Sequence, residues 1–149
     1  MTIYLDCDGT WIDLYGVDNW LDYLLAENVY PYANAKPLVN LSLLARTIHE
    51  LQRKGVKVGV ISWLSKGGSE AYNAAVDITK RKWFKRHIPS VTFDEVHIVK
   101  YGTPKSSCAT QANAILFDDE EKNRIEWKGK AFDEKDLIKN LRAILSALD

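Results

Sequence analysis

Short apolar runs alternate along this chain with longer stretches of helical period. Thr2-Ile3-Tyr4-Leu5 reads as a buried strand. So do Val56 to Ile61, closed by Ser62, and Ala114 to Phe117, closed by Asp118-Asp119. Glu95 to Val99 reads as a shorter strand, and Lys130 to Phe132, after Gly129, as an edge strand. Between them, Leu41, Leu44, Ala45, Ile48 and Leu51 recur at helical spacing and predict a helix over Asn40 to Lys54, stopped by Gly55. Ser69 to Arg86 predicts a long helix that ends before Pro89. Thr103-Pro104-Lys105 predicts a helix start, with Thr103 as cap and Pro104 in the first turn. A short helix is expected after Asp119, and a final one from an Asp133 cap to Leu148.

One stretch breaks this rhythm. From about Trp11 to Pro37 the pattern is irregular and aromatic, holding Trp11, Tyr15, Trp20, Tyr23, Tyr30 and Tyr32. Asp18 is placed to cap a short helix through Glu27, with Trp20, Leu21, Leu24 and Leu25 facing inward. The rest is strand, helix, strand throughout. That order predicts one α/β domain over residues 1–149, a Rossmann-like parallel sheet with helices on both faces. In such sheets ligands bind beyond the carboxyl ends of the strands.

Composition narrows the setting. The 149 residues are 46% hydrophobic and 27% charged, enough for a single core. Lys plus Arg and Asp plus Glu are 20 each, so no global field attracts nucleic acid or an anionic membrane. No apolar run is long enough to span a bilayer, and no secretory leader is expected at the N-terminus. Cys7 and Cys108 form neither a zinc spacing nor a disulfide framework, so a reducing cytoplasm with two free thiols is expected.

The chemistry-bearing residues stand at the expected strand ends: Asp6 and Asp8, Ser62, and Asp118 with Asp119. Lys105 stands on a loop-to-helix junction before the last pair. Carboxylates gathered at one edge repel unless a cation offsets them. Oxygen donors of this kind suit magnesium, which keeps several waters and takes substrate phosphate into its shell. Asp6, the backbone carbonyl of Asp8 and Asp118 would supply protein ligands, and Asp119 would touch water or Lys105; the roles of Asp118 and Asp119 are interchangeable at this level. Lys105 would neutralise phosphate charge, and Ser62 with a neighbouring amide would donate to a phosphate oxygen. Asp6 would attack phosphorus, and Asp8 would serve as acid and then base.

In order and placement these residues resemble the haloacid dehalogenase superfamily of phosphatases. The four signatures are Asp6-Cys7-Asp8-Gly9-Thr10, Ser62 after Val58-Gly59-Val60-Ile61, Lys105 in Thr103-Pro104-Lys105, and Asp118-Asp119 after Ile115-Leu116-Phe117. The resemblance spans most of the chain. It implies a magnesium-dependent phosphomonoester hydrolase working through an aspartyl-phosphate, and the second acid, Asp8, favours phosphoryl transfer over chemistry on carbon. Residues 11–37 fall where the family places its flap and are too short for a full cap domain. The short separation of Lys105 from the acidic pair, with the aromatic flap, is similar to the small 5′-nucleotidases of the superfamily. A nucleoside monophosphate is therefore the leading substrate.

Rival readings follow from other features. Lys80-Arg81-Lys82 and Lys85-Arg86-His87, with Trp83 and Phe84 between, would suit a nucleic-acid end phosphate, but such a run is more often a solvated helix face. Receiver-like signalling modules share clustered acids and a lysine on an open sheet, yet their acid pair and lysine come in a different order. An inactive binding module is the third reading. His49, His87 and His97 are scattered and carry no role, and Cys7 is expected to point into the core.

Overall fold

The structure, a computed structural model, describes residues 1–149. Its main sheet has five parallel strands in the order β5-β4-β1-β6-β7: β1 (Thr2–Leu5), β4 (Lys57–Trp63), β5 (Glu95–Val99), β6 (Ile115–Phe117) and β7 (Ala131–Phe132). Leu5 lies between Val60 and Phe117 in register. The chain builds outward from β1 on one side and then crosses to the other. The strand order therefore reverses between β1 and β6, which is where a ligand crevice opens in such sheets.

The two faces of the sheet are covered unequally. Ile3, Leu5 and Cys7 point to a core of 19 buried residues, shared with β4 and β6. Helix α3 (Leu41–Arg53), the C-terminal half of α4 (Glu70–His87) and α6 (Leu137–Ala147) close over it. Tyr4 points the other way, into a cluster of five with Ile61, Ala114, Leu116 and Trp127. Trp127, which ends α5 (Glu121–Glu126), covers part of that face, and Cys108 and Ala109 cover another. Where a helix was expected from Thr103, there is one 3-10 turn, Lys105–Cys108, and Pro104 rather than Thr103 precedes it. Tyr4 can lie flat in this thin layer because its strand neighbour is Gly59, where a Cβ would crowd the Tyr4 ring at 3.1 Å.

Asn40 and Ser69 cap α3 and α4, each accepting a backbone N–H three residues on. The last helix differs. It starts at Leu137 after Asp136, whose backbone is left-handed, while Asp133 accepts the N–H of Lys135 in a turn. No helix is long and apolar enough to cross a membrane.

Residues 11–37 are tied at their base by a two-stranded antiparallel ribbon, β2 (Ile12–Asp13) with β3 (Lys36–Pro37). Between these strands lie a 3-10 turn (Leu14–Gly16), α1 (Trp20–Leu25) and α2 (Tyr30–Asn34). Leu14 and Tyr32 anchor the segment on Tyr72 and Val76 of α4. The expected inward stripe of α1 is not formed: no residue of this helix is buried, Leu25 is 75% exposed, and Asn19, not Asp18, precedes it. Trp11 leaves the segment altogether. It is fully buried in the main core, stacked on Phe84 at 5.7 Å and edge-on to Trp83 at 5.5 Å.

Candidate active site

Each acid reaches the site because a strand ends beneath it. The N–H of Asp6 still donates to Phe117 O at 2.8 Å, so Asp6 and Asp118 leave neighbouring strands side by side. The loop after β1 then winds tightly: Cys7 O accepts from the N–H groups of Thr10, Trp11 and Ile12, and Gly9 N donates to Ile12 O. Gly9 has φ +83°, and a Cβ there would overlap the Asp119 carboxylate, so glycine is required both by backbone angle and by space.

The carboxylates of Asp6, Asp118 and Asp119 offer oxygens that all lie within 4.8 Å of one another. Lys105 enters from the 3-10 turn with its side chain 3% exposed, and Nζ donates to Asp6 Oδ1 at 2.7 Å and Asp118 Oδ2 at 2.6 Å. Trp63 lies against the same ammonium, ring centroid 5.4 Å away. Thr10 Oγ1 donates to Asp6 Oδ2 at 2.9 Å and accepts the N–H of Asp119 at 3.2 Å. Asp118 is further held by Asn123 Nδ2 at 3.1 Å on Oδ2 and by the N–H of Glu120 at 2.9 Å on Oδ1. Thr10 closes the first signature, but its hold on Asp6 emerges only from the geometry, and Asn123 carries no recognisable signal as a site residue.

Asp8 leaves this group by its side chain. Its Oδ2 accepts from Lys80 Nζ at 2.7 Å. Lys80 was expected on a solvated basic face and is instead 4% exposed. A signal for it exists in the sequence. Tyr72, Val76, Lys80 and Trp83 fall on one helical stripe, the buried stripe of α4, so this lysine occupies a core position among exposed basic neighbours. Ser62 also differs from expectation. β4 runs on to Trp63, and Ser62 lies inside it, 1% exposed, with Oγ accepting from Lys80 Nζ at 2.7 Å. It is not among the residues lining the adjacent cavity, whereas Ser65 is.

That cavity has a volume of about 530 Å³. Asp6, Asp8, Lys105, Asp118 and Asp119 form its floor. Tyr15 and Trp20, edge to face at 4.9 Å, stand on one wall; Trp63 and Tyr101, 4.8 Å apart, stand on another.

The electrostatics follow from burial and these contacts. Burial by itself would raise Asp6, but the Lys105 ammonium and hydrogen bonds from Asp119, Lys105 and Thr10 together outweigh it and hold the carboxyl below the usual range. Burial and then the Asp6 charge raise Asp118 to about 6; burial, then a hydrogen bond to Asp6 and the Asp6 charge, raise Asp119 to about 8. Burial raises Asp8 despite Lys80. The two carboxylates opposite Asp6 are thus short of positive charge. Four site acids face two buried lysines, and the donors are all oxygens. That set fits a hard divalent cation. Cys7 lies in the main core as expected, its thiol pushed up by burial. Compared with protein families and with characterised proteins, the chain matches no family model and no curated sequence.

Proposed function

We propose that this chain is a magnesium-dependent phosphomonoester hydrolase of haloacid dehalogenase type, with Asp6 as nucleophile and a nucleoside monophosphate as preferred substrate. The observation that carries the reading is the placement of Asp6: a carboxylate on a cavity floor, fixed by Lys105 and Thr10, with Asp118 and Asp119 beside it.

An Asp6 oxygen attacks phosphorus, the bond from phosphorus to the ester oxygen breaks, and Asp8 gives that oxygen its proton. Water then attacks phosphorus, Asp8 takes the proton, and Asp6 leaves as a carboxylate with inorganic phosphate. Lys105 keeps Asp6 charged and in place, and Ser65 is the hydroxyl on the cavity wall. Asp6, Asp119 and the Asp8 carbonyl would hold magnesium, with Asp118 close behind; the ion supplies positive charge for phosphate and carboxylates to share. Asp119 is preferred to Asp118 because Lys105, Asn123 and the Glu120 amide already engage both Asp118 oxygens.

The paired aromatic walls favour a flat group beside the phosphate, since base stacking on such faces is worth about 1–3 kcal/mol. A nucleic-acid end phosphate is the weaker reading, because the basic run gives one of its lysines to the interior. Phosphate release from p-nitrophenyl phosphate, glycerol phosphate and nucleoside monophosphates, with and without magnesium, tests the proposal. Beryllium fluoride should load wild type and not Asp6→Asn. Full turnover in Asp6→Asn overturns the mechanism, and a preference for sugar phosphates overturns the substrate.

A further inference from the structure

Lys80 is the one buried charge that the reaction just described does not use. Its ammonium has three N–H donors. One goes to Asp8 Oδ2 at 2.7 Å, one to Ser62 Oγ at 2.7 Å and one to the Trp63 carbonyl at 2.8 Å. The Tyr32 ring covers it further, its centroid 5.2 Å from Nζ. No donor remains for a ligand, so Lys80 is unsuited to binding phosphate itself. It links three elements instead: α4, which carries it, the end of β4, and the loop after β1 where Asp8 sits.

We infer that Lys80 is a positioning residue that aims the Asp8 carboxyl group, and that Ser62 serves as its strut rather than as a phosphate donor. Three observations support this. Asp8 accepts its one side-chain hydrogen bond from Lys80, so without it the carboxyl group has no fixed direction. Ser62 and the Trp63 carbonyl hold the ammonium from β4, a rigid inner strand, so the direction is set by the sheet and not by a mobile loop. Ser62 does not reach the cavity, whereas Asp8 does. Placement of a proton donor matters to catalysis on the scale of ångströms.

The inference rests on the proposed phosphatase reading, and its test separates the two. Esters differ in how much they need a proton on the departing oxygen: p-nitrophenolate leaves without one, and the alkoxide of glycerol phosphate does not. With Lys80→Met, kcat/KM on glycerol phosphate should fall by about 100-fold, the scale of general acid catalysis, and on p-nitrophenyl phosphate by less than about tenfold. Asp8→Asn should show the same split. Ser62→Ala keeps both charges, and so serves even where Lys80→Met folds poorly. It should show a weaker form of the split and leave inhibition by inorganic phosphate within about twofold, too small a change for a lost charge-assisted hydrogen bond. Equal losses on both esters in Lys80→Met overturn the inference and leave the phosphatase reading intact. So does a Ser62→Ala variant whose main defect is weak phosphate inhibition. Wild-type protein that hydrolyses neither ester overturns both.

Discussion

Lys105 Nζ and Asp6 Oδ1 meet at 2.7 Å across 99 residues of sequence, both side chains nearly removed from solvent. The same ammonium holds Asp118, so one cation bridges two buried carboxylates and offsets their repulsion. Removing one partner of a buried pair leaves an uncompensated charge, at a cost of about 3–5 kcal/mol. Lys105→Met should therefore lose stability on that scale in urea unfolding, and magnesium should return part of it. An unchanged midpoint would mean that Asp6 and Asp118 do not depend on Lys105.

Asp118 and Asp119 make stability depend on pH. Their folded values, about 6 and about 8, lie above the ordinary carboxylate range. Above about pH 4 the unfolded chain has released these protons while the folded chain still holds them. Metal-free protein should thus lose stability as pH rises towards 8. Asp6, held low, acts in the opposite sense, but only at the acid end. Melting temperatures in EDTA should fall between pH 5 and 8 (on the scale set by these two groups, roughly), and saturating magnesium should flatten the slope. A melting temperature that rises over this range in EDTA would contradict the site's charge balance.

The two neighbouring acids should not be equivalent towards metal. Asp118 is 0% exposed and spends both oxygens on Lys105, Asn123 and the Glu120 amide. Asp119→Ala should weaken magnesium binding more than Asp118→Ala, while Asp118→Ala should cost more stability because it removes one of the two carboxylates that hold Lys105 and strips Asn123 and the Glu120 amide of their acceptor. Titration calorimetry beside thermal unfolding reads both effects. The reverse order for metal would restore the strand-end expectation.

Trp11 and Trp20 are nine residues apart in the aromatic stretch and do different work. Trp11→Ala should destabilise by about 3–5 kcal/mol, as for other large core truncations, with little change in substrate preference. Trp20→Ala should leave stability nearly unchanged and reduce the advantage of nucleoside monophosphates over glycerol phosphate. Equal unfolding curves for the two variants would mean that Trp11 does not belong to the core.

The acids of the site were legible because each ends an apolar run, and the eye needs only the strand to place Asp6, Asp118 and Asp119. Lys105 was legible from its turn chemistry, although the turn proved to be a single 3-10 turn without a side-chain cap. Lys80 was hidden by its neighbours: Arg81, Lys82, Lys85 and Arg86 make the run look solvated, and only the period of the buried stripe separates it from them. Ser62 reads in the sequence as the residue that closes its strand, but β4 continues to Trp63 and the Ser62 hydroxyl meets Lys80. The flap was legible as aromatic but not in direction, because an irregular stretch has no period to say which rings point in. Trp11 turns under the sheet while Tyr15, four residues later, lines the cavity.

The central place of β1 has a consequence for the growing chain. This strand is made before either of its neighbours: one of its edges waits for β4 and the other for β6, whose last residue is Phe117. A chain halted between Trp63 and Ala114 would carry an apolar strand with one open edge, beside acids that lack Asp118 and Asp119. Such nascent or truncated products should associate edge to edge rather than rest as soluble halves. Ribosome-bound chains should gain resistance to protease late and in one step, once β6 and the acids that follow it have cleared the exit tunnel.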